Sequence, residues 1–102
     1  MVLLEFSIFP LDKGESLSTY VARCLDIVDR SGIEYRCHSM GTVLEGEFDE
    51  VMRVVQQCFD ALAADSGRIE CSIKIDYRRG RRNGLVAKLS SVEAKLGRKL
   101  KQ

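Results

Sequence analysis

The stretch Ile73–Arg82, "IKIDYRRGRR", carries the densest chemistry in this 102-residue chain. Its first half alternates apolar and polar residues, so Lys74, Asp76 and Arg78 fall on one side of an extended strand. Two chemistries compete for that row. A carboxylate between two cations can orient a polar or cationic small molecule. The arginine run Arg78–Arg82 can instead neutralise phosphates without sequence preference. The charge distribution keeps the second option open: from Asp76 onward nine Lys and Arg stand against two acids, Asp76 and Glu93. The preceding residues hold seven bases and thirteen acids.

Other chemistries find less support. Cys24, Cys37, Cys58 and Cys71 are scattered, with no C-x-x-C pair and a single histidine, His38. Closely spaced ligands for a metal are therefore missing. The thiols read as free, buried and apolar in character. No nucleophile, base and orienting group can be assembled around His38, so no catalytic residue is assigned and the chain reads as a non-enzyme.

These residues need elements to position them. "VLLEFSIFP" alternates in two registers, with Leu4, Phe6 and Ile8 on one side and Leu3, Glu5, Ser7 and Phe9 on the other. Pro10 ends that strand. Leu17, Val21, Cys24, Leu25 and Val28 form one face of a helix, with Ser16 or Ser18 as N-cap and Gly32 as a left-handed stop. "IEYRCHSM" and "TVLEGE" make a strand pair around Gly41. "FDEVMRVVQQCFDAL" is a second helix with an inward stripe of Val51, Val55, Cys58 and Leu62, and Asp49 and Glu50 suit its positive N-terminal end. "RIECSIKIDYR" has the cleanest alternation in the chain. Its row Ile69, Cys71, Ile73, Ile75 and Tyr77 should meet the helices. After the loop "RGRRNG", the segment "SSVEAKLGRKLKQ" reads as a last helix, with Ser90 and Glu93 in a capping-box pattern.

The order β-α-β-β-α-β plus a C-terminal helix predicts an α+β, ferredoxin-like antiparallel four-stranded sheet, with residues 1–102 as one domain. Two helices cover one face. The other face is mixed in polarity, and a second sheet packed on it would trap polar groups at a seam that need partners or a ligand. No run reaches the ~20 apolar residues of a membrane span. The apolar N-terminus carries Glu5 and no basic leader, so a cytoplasmic protein is expected. Base-stacking RNA recognition on this fold uses aromatic residues on the sheet face. Ser72 and Lys74 occupy those central positions, so nucleic-acid binding through Arg78–Arg82 stands only as the alternative.

Three segments carry a resemblance: "EFSIFPLDKGESLSTYVARCLDIVDRSGIEY", "HSMGTVLEGEFDEVMRVV" and "IKIDYRRG…KLSSVEAKLG". In order and over most of the chain, they resemble the thiamine-binding protein family. The resemblance implies a ferredoxin-like fold and assembly as a homodimer or homotetramer by packing sheets together. It implies binding of thiamine or its hydroxymethyl-pyrimidine part, with no catalytic activity established for the family. Thiamine joins a cationic thiazolium to an aminopyrimidine, and its site wants a carboxylate, short hydroxyls and an apolar wall. By resemblance, Ser7, Thr42, Glu45 and Asp76 form the core of the site, with Met40, Lys74 and Arg78 beside them. No cofactor other than the ligand is implied.

Overall fold

The computed structural model describes residues 1–102. Its elements are β1 (Val2–Pro10), α1 (Ser18–Arg30), β2 (Glu34–His38), β3 (Gly41–Gly46), α2 (Phe48–Ala63), β4 (Ile69–Tyr77) and α3 (Gly84–Leu96). The strands form one sheet in the order β2-β3-β1-β4, every neighbouring pair antiparallel. This is the ferredoxin-like α+β arrangement that the alternating strands and amphipathic helices predict.

Register fixes the faces. Leu4 lies between Leu44 and Ile75, and Phe6 lies between Thr42 and Ile73. Side chains alternate along a strand, so these residues share the face covered by α1 and α2. Val2, Leu4, Phe6 and Ile8 from β1 and Leu44 from β3 form the core there, with Cys24 and Val28 of α1. From α2 come Val51, Val54, Val55, Cys58 and Leu62. Completely buried Leu4, Leu44 and Leu62 are the largest apolar side chains at its centre, and burial of this kind supplies most of the drive to fold. Arg23 ties the two helices together, donating to Asp65 Oδ1 at 3.0 Å and to the Ala61 carbonyl at 3.0 Å.

Local signals differ in how they are realised. Gly32 follows α1 with a left-handed φ of 77°, as its placement after the helix predicts. The N-cap of α1 is Leu17, however, and neither Ser16 nor Ser18 caps it. At α2, Glu50 accepts the Glu47 backbone N–H at 3.0 Å, completing a cap at the positive helix end.

Three expectations need correction. First, α3 begins at Gly84, six residues before Ser90. Asn83, at a left-handed φ of 56°, opens it by accepting the Ala87 N–H at 2.8 Å. Glu93 is buried in the last turn of the helix, and its carboxylate accepts the Leu100 N–H at 2.6 Å, so it secures the C-terminal tail instead of capping a helix start. Second, the apolar row of β4 faces the helix layer but is not covered by it. Ile73, Ile75 and Tyr77 stay exposed because β4 is an edge strand at the margin of the two helices. Third, only Cys24 and Cys58 are buried; Cys37 and Cys71, on the two edge strands, are exposed.

The face away from α1 and α2 is not wholly open. α3 meets the sheet chiefly along β3, with its first residue against Leu3. A Cβ on Gly84 would sit 3.0 Å from Leu3 Cδ1 and 3.2 Å from Glu45 Oε2. Glycine is thus what lets the helix start so close to the strands.

Candidate ligand-binding site

Beyond the Phe6–Thr42 pair, β1 runs on to Pro10 with β4 as its neighbour but without β3. The missing ladder leaves a gap at the end of the sheet. The gap is a cleft of about 300 Å³ between β1, the start of α1 and the β2–β3 turn. Leu17, Val21 and Leu25 supply one wall. They belong to the predicted inward stripe of α1, but only Cys24 and Val28 of that helix are fully buried. Phe6 and Phe9 add aromatic surface, and Ser7, Ser39 and Thr42 add hydroxyls. Ser7 and Thr42 come from opposite faces of the sheet, since Thr42 pairs with Phe6; the cleft wraps around the sheet end to reach both. The two-residue turn Ser39–Met40, closed by the His38–Gly41 pair, forms its rim. Met40 is 81% exposed there.

Next to this cleft lies a shallower depression of about 230 Å³ on the α3-side face, lined by Glu5, Ser7, Met40, Ser72 and Lys74. Glu5 is the group that the expected site left out. His38 Nδ1 accepts the Met40 N–H at 3.2 Å, which leaves Nε2 as the protonated nitrogen facing Glu5 Oε2 at 3.2 Å. Lys74 Nζ stands 4.0 Å from Glu5 Oε1. The alternation in β1 put Glu5 beside Ser7, but only the folded hairpin brings His38 to it. The arrangement holds the rim of the cleft and places a carboxylate next to its hydroxyls.

Four of the seven sequence-assigned residues gather here: Ser7, Met40 and Thr42 in the cleft and Lys74 beside it. Glu45 and Asp76 do not. Both pair with Leu3, four residues before Ser7 and so roughly 13 Å along the strand. Each is engaged within the chain. Glu45, buried, accepts the Gly84 N–H at 2.5 Å, capping α3 from a different element. Asp76 Oδ2 receives Arg81 Nη1 at 3.0 Å and also the Lys88 ammonium. Arg81 Nη2 donates to the Asp76 carbonyl at 2.7 Å. The Lys88 and Arg81 hydrogen bonds hold the Asp76 carboxyl below its ordinary value. Arg78 lies at the start of the following loop and its carbonyl accepts the Arg81 N–H. The arginine cluster is therefore not uniform. Arg81 is only 12% exposed and is engaged with Asp76, whereas Arg78, Arg79 and Arg82 face solvent.

The sequence model of a family described as "Thiamine-binding protein" matches residues 4–93. The chain belongs to that family. UPF0045 protein MJ1052 of Methanocaldococcus jannaschii is 34% identical over 91 residues, 89% of this chain and 91% of that protein. UPF0045 protein Mb1933 of Mycobacterium bovis is 38% identical over 93 residues, 90% of this chain and 91% of the relative. The solved structure of MJ1052 superposes with a TM-score of 0.83, covering 89% of this chain and 94% of the other. A Bacillus cereus domain of unknown function, 31% identical, gives 0.72 over 83% of this chain and 85% of its own. A Thermotoga maritima protein described provisionally under thiamine biosynthesis or salvage shares the fold, with a TM-score of 0.76 at 24% identity, 89% of this chain and 97% of that one. No helix is long and apolar enough to cross a membrane.

Proposed function

We propose that this chain is a non-catalytic binding protein for thiamine or its hydroxymethyl-pyrimidine part, with the ligand in the cleft at the end of the sheet. The observation that carries the reading is the cleft itself, in a chain of the thiamine-binding family. It combines hydroxyls from Ser7, Ser39 and Thr42 with a wall of Leu17, Val21, Leu25 and Phe9. Its volume, about 300 Å³, is at the small end for ligand pockets. The hydroxyls suit the donors and acceptors of an aminopyrimidine, and the apolar wall suits its ring. Glu5, at the mouth, is the carboxylate nearest a bound cation. Glu45 and Asp76 act as supports for α3 in this reading, and Lys74 and Arg78 are outside direct contact.

Self-association into a homodimer or homotetramer completes the proposal. The support is β4, a nine-residue edge strand with no proline and an exposed apolar row of Ile73, Ile75 and Tyr77. An edge of that length and composition is a template for pairing with another strand.

Calorimetry or thermal shift with thiamine, its pyrimidine half and its phosphates tests the ligand. Saturable binding or stabilisation by one of them is expected, weakened by Ser7→Ala and by Val21→Arg, which fills the cleft. Absence of any effect across all of them, in protein shown to be oligomeric, defeats the proposal. Binding lost in Asp76→Ala but intact in Val21→Arg moves the ligand to the α3 end.

A further inference from the structure

Beneath the proposed ligand cleft, the most closely constrained reactive groups are two thiols in the helix layer. Cys24 of α1 and Cys58 of α2 are both buried and face one another across the helix interface. The Cys24 sulfur lies 3.9 Å from the Cys58 carbonyl oxygen, and the Cys58 sulfur lies 3.6 Å from the Cys24 carbonyl oxygen. Such reciprocal contacts set the two sulfurs side by side, with each helix backbone in reach of the opposite side chain. The bidentate contact from Arg23 to Asp65, at 3.0 and 3.3 Å, clamps the helices beside this pair.

Access and reactivity are asymmetric. Cys24 forms part of the wall of the 300 Å³ cleft, whereas Cys58 does not reach it. The contact with Cys58 and the neighbouring Arg23 charge lower the Cys24 thiol against the opposing effect of burial. The same contact, together with burial, pushes the Cys58 thiol up. A depressed thiol within reach of a small solute, next to a second thiol in contact, is the arrangement of a peroxide-reactive pair.

We propose that Cys24 and Cys58 form an oxidation site for small hydroperoxides, in which Cys24 is the reacting thiol, Cys58 the resolving thiol, and an intramolecular disulfide the product. In the first step the Cys24 thiolate attacks the distal oxygen of hydrogen peroxide. The O–O bond breaks, Cys24 becomes a sulfenic acid, and hydroxide leaves. In the second step the Cys58 sulfur attacks the Cys24 sulfur, the S–O bond breaks, and its oxygen leaves as water with the Cys58 proton. The peroxide is reduced by two electrons and the two thiols together lose two. A dithiol reductant reverses the change.

Hydrogen peroxide itself is the probe. The Cys37→Ser/Cys71→Ser double variant leaves the buried pair untouched and removes the exposed thiols. Treated with equimolar peroxide, it should lose the mass of two hydrogens and both free thiols, remain a single chain on a non-reducing gel, and recover fully with dithiothreitol. Adding Cys58→Ser should trap a sulfenic acid at Cys24, labelled by dimedone, while Cys24→Ser should leave Cys58 unlabelled. In the unsubstituted protein, peptide mapping should give a Cys24–Cys58 link. Persistence of both thiols after peroxide exposure overturns the proposal. So does over-oxidation of Cys24 with Cys58 still free, or a Cys24–Cys37 link as the main product. The first readout concerns exposed positions only, so its interpretation does not depend on a buried variant folding.

Discussion

Glu45→Ala probes whether this carboxylate supports the fold at the α3 end or belongs to a ligand. Its Oε2 accepts the first backbone N–H of α3, from Gly84, at 2.5 Å, and the side chain is buried. The Asn83 side chain does not cap the helix, so Glu45 is the group that answers the positive helix end. A hydrogen bond to a charged group contributes about 1.5–3 kcal/mol. α3 meets the sheet chiefly along β3, Val86, Val92 and Leu96 are about half exposed, and the exposed Lys88–Asp76 pair is its other tie to the strands, so the helix is held by few contacts. The loss should appear as local release of α3 and not as global unfolding. Converted through the opening equilibrium, amide exchange in α3 should accelerate roughly 10- to 150-fold in Glu45→Ala. Glu45→Gln keeps an acceptor and loses the charge, and a neutral bond is about half as strong, so it should fall between the wild type and Ala. Hydrogen exchange with mass spectrometry at neutral pH reads both, with β1 amides as the internal reference. Unchanged exchange in α3 refutes the capping role. Equal acceleration in β1 refutes the claim that the effect is local. Ligand stabilisation should persist in Glu45→Gln, because the carboxylate is about 13 Å along the strand from Ser7.

Three further outcomes follow from the same geometry. Leu44, fully buried between the helices and β1, should cost about 2–5 kcal/mol in urea unfolding when changed to Ala; a loss near zero would mean that the core is not closed around it. Asp76 has its folded-state pKa lowered, first by Lys88 and then by Arg81. Its contribution is therefore fully present above the unfolded value near 3.9 and is lost as pH falls through the lower folded value. The melting-temperature gap between wild type and Asp76→Asn should narrow on acidification below about pH 4, and a gap constant with pH contradicts the pairing. Ile75→Lys places a charge in the exposed apolar row of β4 and should shift light-scattering mass toward the monomer, whereas an unchanged oligomer means that β4 is not the surface used.

The strands and the first two helices were legible because their signals are periodic and local. Leu4, Phe6 and Ile8 alternate along β1, and Val51, Val55, Cys58 and Leu62 recur with helical spacing along α2; all seven are buried. What the sequence did not disclose depends on contacts between distant positions. The "SSVE" segment has the form of a helix start, yet the true start is set by Glu45, 39 residues before Gly84. Once α3 starts earlier, Glu93 falls inside it and meets Leu100 instead. Cys37 and Cys71 have the alternation of strand residues, but periodicity does not say which strands lie at the edges, and both do. The proximity of Cys24 and Cys58 follows only from the crossing of two helices.

The same distinction sharpens the candidate site. Resemblance and alternation selected hydroxyls and carboxylates, and the fold then sorts them by whether they already have partners. Glu45 and Asp76, the carboxylates assigned by resemblance, are held by Gly84, Arg81 and Lys88. A ligand using either one would first have to displace an internal contact, which subtracts from its binding energy. Ser7 and Thr42 instead line a cleft whose apolar wall is left over from the α1 stripe. Leu17, Val21 and Leu25 show why that leftover matters. They have the spacing of core residues, but β3 ends at Gly41 and does not extend alongside β1 past Phe6. The early end of one strand thus converts part of a helix-packing surface into the wall of a pocket.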